Sequence, residues 1–363
     1  MTSNNPEIAH NALPDLPPRA QLESSVILKA AIEANRYLAE LKGYCQTLPN
    51  PDLLLNTIVL QESKDSSAIE NIVTTQDELY KAIINPLENN SPAKEVISYR
   101  KAVYTGLDEL KRTPVFTGRL AVKIMQRVKN TTVGFRSLPG VKLANPSNNR
   151  IIYTPPDPHT IGDKLAKWEK FINEEKDLDP LVIMALMHYQ FEAIHPFADG
   201  NGRTGRILNV LYLVYRELLT LPVLYHSAYI IQHKDDYYKR LRLVTEKGEW
   251  EAWILFMLQA IKETAGETLD LIKKIVTLKE KTLNKIKGKD VSQKLPAYEL
   301  NDLIFSFPYI KIKTLIEKGI AQRQTASIYL KQLTKRKILR PIKQGREVYY
   351  VNHELMNLLS QRP

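Results

Sequence analysis

Cysteine is almost missing from this chain, with Cys45 the single example in 363 residues. That excludes an intramolecular disulfide framework and a cysteine-rich zinc site, and it fits a reducing compartment. Glycine (14) and proline (21) are too sparse for a fibrous or low-complexity protein. Long apolar runs are missing too: the longest within a helical pattern, Val210 to Tyr215, is far short of the ~20 residues a membrane-crossing helix requires. Met1 to Pro6 has neither the basic segment nor the apolar segment of a signal peptide. These absences lead us to expect a soluble, cytoplasmic protein with no membrane partner.

What is present in excess is positive charge, a formal +11, which on its face suggests a polyanion partner. Its distribution changes that reading. Residues 1–271 carry 31 Lys and Arg against 33 Asp and Glu, whereas residues 272–363 carry 20 against 7. The basic character belongs to the last quarter, so the function of the main body has to be read from individual residues.

The chain reads as mainly α. Residues 1–22, rich in Pro and Asn without periodicity, predict a mobile or surface-laid arm. From Leu22 onward, Val26, Leu28, Ile32, Tyr37, Leu38 and Leu41 recur near the helical period. A short helix over 65–71 follows, then a capping box at Thr75 and Glu78 that opens a helix ending before Pro86. Further helices are predicted at 93–111, 117–129, 160–175, 180–193, 203–219, 234–247 and 249–266. Segment 268–289 reads as a Lys-rich amphipathic helix or connector. Between 130 and 158 several Gly and Pro interrupt the pattern around the β-prone run Arg150 to Thr154, which predicts a loop with a small hairpin. In the tail, helical patterns at 297–305, 310–318 and 324–336 precede a ribbon with a turn at Gln344-Gly345, the order of a winged helix with Thr325 to Lys337 in the recognition position. The expected domains are an N-terminal helical region (1–95), a catalytic domain (96–266), a connector (267–289) and a winged-helix module (290–363).

The chemistry concentrates in His195-Pro-Phe-Ala-Asp-Gly-Asn-Gly-Arg-Thr-Gly-Arg206, a polar loop between two strongly apolar helical patterns. Gly200 and Gly202 lack Cβ atoms, so backbone N–H groups there can converge on one point as an anion nest. A helix beginning near Arg203 adds its positive end. Arg203 and Arg206 supply cationic donors suited to phosphate oxygens. Asp199 could hold a divalent cation bridging those oxygens, and His195 has the pKa range of a general base. Each residue alone has an ordinary structural reading: a turn, a solvated Arg, a helix-ending His. Twelve residues in this order leave little room for it.

The run matches, at every specified position, the signature H-x-F-x-D/E-G-N-G-R-x-x-R, and over roughly 60–265 the chain resembles the Fic family. Val133-Gly-Phe-Arg136 and Asp236-Tyr237-Tyr238 fall within that span. The resemblance implies a helical Fic fold with a β-hairpin flap, and transfer of AMP from ATP to a protein hydroxyl with Mg²⁺. It makes His195 the catalytic base, Phe197 a core lock and Asp199 the metal ligand. Gly200, Asn201, Gly202, Arg203, Thr204, Gly205 and Arg206 would cradle the phosphates, with Tyr237 and Tyr238 near adenine or ribose. A Tyr pair at a helix start serves core packing equally well. Upstream, Ser66-Ser-Ala-Ile-Glu70-Asn71 resembles the family's inhibitory signature S/T-x-x-x-E-G/N. On a helix Ser66 and Glu70 share a face, so Glu70 could pair with Arg206 and take the γ-phosphate's place. Arg150, Ile151, Ile152 and Tyr153 resemble the flap that pairs with an extended target, with a plain surface hairpin as the alternative.

A protein adenylyltransferase restrained by Glu70 is thus the leading expectation. Two alternatives stand beside it: removal of AMP at the same site, and a DNA-binding regulator whose Fic domain senses nucleotide. Lys331, Lys335, Arg336 and Lys337, with Arg340, Lys343 and Arg346 on the wing, would suit DNA phosphates, although many winged helices bind proteins or dimerise. The expected partners are ATP and a target protein, this chain itself included, with DNA and a homodimer as further options.

Overall fold

The computed structural model describes residues 5–48, 52–84, 92–144, 149–288, 295–344 and 347–360. Helix α1 (Ser25–Gln46) starts where the Ser24 hydroxyl accepts the N–H of Ile27. It buries Ile27, Ala31, Ala34, Leu38, Leu41 and Cys45 against the long helix α11 (Trp250–Lys287). The expected stripe is rotated, because Val26, Leu28 and Ile32 are exposed. Two alanines let the helices approach closely, and a stripe judged by the larger side chains overlooks them. Gly266 in α11 is part of the same contact: a Cβ there would lie 3.3 Å from the Tyr37 ring.

Helix α2 (Asp52–Ile69) corrects the expectation of a short helix over 65–71: the Ser66–Glu70 motif is the end of an eighteen-residue helix. The helix stops as Asn71 turns left-handed at φ 61°, with the N–H groups of Glu70 and Asn71 donating to Ser67 and Ala68. Asparagine tolerates that conformation better than most residues. Helix α3 (Gln76–Ile84) opens on the capping box, each of Thr75 and Glu78 accepting the other's N–H. Helices α4 (Pro92–Arg112), α5 (Gly118–Lys129) and α6 (Ile161–Glu174) then surround the central pair, α7 (Pro180–Ile194) and α8 (Asn201–Tyr215). Both central helices are buried along most of their length, as their apolar sequences require. Between α5 and α6 lies the flap, β1 (Leu143–Ala144) antiparallel to β2 (Ile151–Tyr153).

Helix α8 starts two residues before the expected 203 and ends before 219. Helices α9 (His226–Gln232) and α10 (Lys234–Lys247) follow; α9 is too short to show a clear period. The expected basic segment 267–289 is helical through Lys287, but it continues the preceding helix: α11 runs unbroken from Trp250 with no proline to stop it.

The C-terminal module contains α12 (Ala297–Ser306), β3 (Tyr309–Ile310), α13 (Ile312–Glu317), α14 (Arg323–Lys335), β4 (Arg340–Gln344), β5 (Glu347–Val351) and α15 (His353–Ser360). Its sheet has the order β3-β5-β4, all antiparallel. Strand β3 and helix α15 add to the expected pattern, while Gly345 and Arg346 lie outside the described residues. The module packs on α2 and α3. The amides of Gln61 and Gln76 donate to the Leu359 carbonyl, and Tyr309 donates to Asp77 while its ring stacks on Tyr80 at 5.7 Å. Among the described residues no helix is long and apolar enough to cross a membrane.

Candidate active site

The site forms where α7 ends and α8 begins. His195 closes α7 in the left-handed conformation, φ 48°, and Gly200 opens α8 at φ 86°. The four-residue link between these turns, 196–199, is held from inside. Phe197 is fully buried, stacked on Phe135 at 5.6 Å. The Asn201 amide closes the loop: it donates to the Phe197 carbonyl and accepts the Phe197 N–H, at 2.8 and 2.9 Å. Arg136, to which no individual role was assigned from sequence, donates to the carbonyls of His195 and Pro156 and so ties the base of the flap to the loop. Its N–H also donates to Pro196. The signal for Arg136 was its place in the 133–136 stretch.

Burial pulls the His195 pKa down to about 4, so the ring is neutral at physiological pH. Its Nδ1 lies 3.3 Å from the Glu192 carbonyl, which can only accept. The proton is therefore assigned to Nδ1, leaving the Nε2 lone pair free to take one. His195 lines a cavity of about 200 Å³ shared with Glu70, Gly202, Arg206, Tyr238, Ile152 and Tyr153.

Arg206 is fully buried at the floor of this cavity. Its Nε donates to the Ser66 hydroxyl, and one terminal nitrogen donates to the Ser66 carbonyl and to Glu70 Oε1, each at 2.8 Å. Burial works against its charge, but Glu70 and the surrounding tyrosines raise its pKa overall, so it stays a cation. Gly202 makes room for this pair: a Cβ there would stand 2.3 Å from Glu70 Oε1 and 3.0 Å from Arg206. Asn71, next in the motif, accepts from Lys234 at 3.1 Å.

The remaining motif residues divide by direction. Arg203 is buried and paired with Glu95 at 2.7 Å. Thr204 and Gly205 face inward; a Cβ on Gly205 would meet Glu192 Oε1 at 2.5 Å, so this glycine permits close approach of α7. Asp199 is exposed and lies 2.6 Å from Lys129. Burial alone would raise its pKa, but the Lys129 ammonium and Arg203 outweigh that and keep it ionised. Tyr237 is a core residue whose hydroxyl is 2.8 Å from His188 Nε2, whereas Tyr238 is partly exposed at the cavity wall. On the flap, Ile152 and Tyr153 reach the cavity, Tyr153 donating to the Ala193 carbonyl at 2.8 Å. Arg150 is exposed beside Ile151 at the start of β2.

Two buried acids in this region carried no role from sequence. Burial raises Glu192, which lines the cavity, to about 8. Burial likewise raises Glu62 to about 7; it accepts from Tyr99 and from the N–H and hydroxyl of Ser227, fixing α2 to α4 and α9. Glu62, Ser66 and Glu70 recur every four residues, a helical spacing that the sequence does display.

Comparison with known proteins agrees with this geometry. Residues 28–108 match the Fic/DOC family N-terminal model, 117–213 the Fic/DOC family model, and 278–355 the C-terminal domain of SoFic-like protein adenylyltransferases. A probable protein adenylyltransferase of Aquifex aeolicus is 27% identical over 181 residues, 48% of this chain and 54% of that protein. The protein adenylyltransferase Fic of Drosophila yakuba is 33% identical over 121 residues, 33% of this chain and 22% of that one. This chain thus spans about half or less of the length of these curated relatives. Among solved structures, a Fic family protein from Desulfovibrio desulfuricans shares the fold, with TM-score 0.55 and 21% identity over 89% of this chain and 95% of that one. By the signature loop and the three matched regions, this chain belongs to the Fic/DOC family.

Proposed function

We propose that the protein is an adenylyltransferase that moves AMP from ATP to a Ser, Thr or Tyr hydroxyl of a target protein, and that Glu70 holds it back. The observation that carries this reading is the shared cavity: a neutral His195 and the Gly202–Arg206 helix start face one space, and a carboxylate already occupies the anion position. With Glu70 displaced, Arg206 and the N–H groups of the α8 start receive the phosphates. His195 Nε2 takes the proton of the acceptor hydroxyl as its oxygen attacks the α-phosphorus. The bond from that phosphorus to the pyrophosphate oxygen breaks, giving the AMP ester and pyrophosphate, and His195 returns its proton to solvent.

Asp199 suits Mg²⁺: it is ionised, exposed and beside the loop, and Mg²⁺ is commonly held by one carboxylate together with substrate phosphates. Lys129 would have to release it. Bound there, Mg²⁺ would neutralise charge on the phosphates. The C-terminal module, read as a winged helix, serves this function by bracing α2 through Gln61 and Leu359.

Incubation with ATP labelled at the α-phosphate, Mg²⁺ and cell extract tests the reading. Labelled protein bands are expected, stronger with Glu70→Gly and lost with His195→Ala. Bands unaffected by His195→Ala would overturn the assignment of the base.

A further inference from the structure

The arm preceding α1 is laid along the flap, and its contacts concentrate at the end of β2. The His10 N–H donates to the Thr154 carbonyl at 3.0 Å, and the Thr154 hydroxyl donates to the Pro6 carbonyl at 2.6 Å. The Asn11 side chain and Asp157 exchange two hydrogen bonds, of 2.7 and 2.8 Å. Glu7 pairs with Lys142 beside β1, and the His10 ring meets Tyr153 edge-on. Pro6 goes further, forming part of the wall of the cavity that holds His195.

From the adenylyltransferase reading, on which this inference rests, an acceptor polypeptide has to reach that same wall to present its hydroxyl. We infer that residues 5–11 occupy the acceptor's seat beside the flap as a built-in pseudosubstrate, and that a target binds only when they leave. Three observations converge on this role. The seat combines a main-chain bond with side-chain bonds to backbone, and it receives an arm folded in tight turns, the Ile8 N–H donating to the Asn5 carbonyl and the Leu13 N–H to the His10 carbonyl. The arm can leave without unfolding the domain, since Asn5, Glu7, Ile8, Asn11 and Ala12 are exposed and the buried anchor begins only at Leu13. Beyond that anchor the Pro14 carbonyl accepts from Gln190 and Asp15 pairs with Lys167. The third observation is chemical: residues 5–22 contain no Ser, Thr or Tyr. A segment whose Pro6 lines the cavity of the base, and which has no hydroxyl to offer, occupies that wall without being consumed.

This restraint acts on the acceptor, whereas Glu70 acts on the nucleotide. A tethered segment seated about nine-tenths of the time weakens acceptor binding about tenfold and leaves ATP binding unchanged. The test uses the full chain in the Glu70→Gly background, with labelled ATP and a dilution series of cell extract as acceptor. Deleting residues 1–11 should lower the half-saturating extract concentration about tenfold with the Kd for Mg-ATP unchanged. His10→Pro removes the N–H donated to Thr154 but keeps every anchor, and Thr154→Val removes the bond to Pro6. Both should shift the same quantity in the same direction by less, and they cover the case of a deletion that fails to fold. A synthetic peptide of residues 5–16 should inhibit the shortened protein competitively against extract and not against ATP. Unchanged half-saturation in all three variants, or inhibition competitive with ATP, would overturn the inference. Absence of AMP transfer from every variant, with Mg-ATP still bound, would refute the adenylyltransferase reading and the pseudosubstrate role with it, even if the peptide binds.

Discussion

Removing the Glu70 carboxylate is the perturbation whose size the structure constrains best. Glu70 makes one charge-assisted hydrogen bond, 2.8 Å to Arg206, and its side chain is about one-third exposed. Hydrogen bonds to charged groups contribute ~1.5–3 kcal/mol, and partial exposure argues for the lower half of that range. A brake held by ~1.5–2 kcal/mol leaves the site open about one part in ten to one in thirty. Glu70→Ala and Glu70→Gly should therefore tighten Mg-ATP binding by about ten- to thirtyfold, measured by calorimetry, and raise AMP transfer at subsaturating ATP by the same factor. Glu70→Ala separates loss of charge from added helix flexibility. Folding should survive either change, because Ser66 and Glu62 still secure α2. If both variants bind ATP no more tightly than wild type, the carboxylate is not competing with phosphate and the proposed brake is wrong.

Gly202→Ala places a methyl group where Glu70 and Arg206 meet, 2.3 Å from the carboxylate. It should abolish labelling even beside Glu70→Gly, since the same methyl then intrudes on the phosphates; rescue by Glu70→Gly would show that the brake was its only victim. Asn201→Ala removes both bonds to the Phe197 main chain in a buried loop, a loss of ~1–3 kcal/mol that thermal unfolding should register together with a fall in kcat. The pH profile of kcat/KM should stay flat down to about pH 5 and decline as His195 takes up its proton near 4, because only the neutral ring can act as base. Stability has its own window. His188, His195 and His226 have folded pKa values depressed by burial, so their contribution is complete above 6.5 and is lost as pH falls toward their folded values. Glu62 and Glu192 have raised values of about 7 and 8, so theirs is complete below about 4.5 and is lost as pH rises through those values. These five groups together place the maximum of the unfolding temperature near pH 6–7, and a maximum above 8 would contradict their burial.

The signature loop was legible in full because its chemistry requires fixed residue types at fixed spacing. The directions of its side chains were not. Spacing alone cannot reveal that Asn201 turns inward to clamp Phe197, or that Gly205 clears space for Glu192 on α7. The pairing of Glu70 with Arg206 follows from the motif, but the local pattern indicates only a short helix over 65–71 where the chain forms eighteen residues. Its earlier part, Asp52 to Lys64, mixes polar and apolar residues on a helix that both α4 and α9 contact, which blurs the period. The stripe of α1 was misplaced for a related reason: Ala31 and Ala34 are core residues by closeness of approach, not by hydrophobicity. The arm over 5–22 illustrates the limit most plainly. Its composition indicates irregular structure, and only long-range contacts to Thr154 and Asp157 reveal where it lies.

The contacts of α2 bear on how the proposed brake would open. Helix α2 is secured along its length: Glu62 to Ser227 and Tyr99, Gln61 to the Leu359 carbonyl, and the Ser66 main chain to Arg206. Moving the whole helix would break all of these at once and leave Arg206 buried without a partner, a state that buried charges make expensive. Glu70 itself lies just beyond the last helical residue, on a turn closed by bonds to Ser67 and Ala68. Fraying that single turn, or swinging one side chain, frees the carboxylate while Ser66 keeps Arg206 in position for phosphate. On the proposed reading, Ser66 holds the Arg206 cradle in place and the competitor is local. Under the proposed function a nucleotide would have to displace only the Glu70 carboxylate, while Gln61 and the Leu359 carbonyl keep α2 in place.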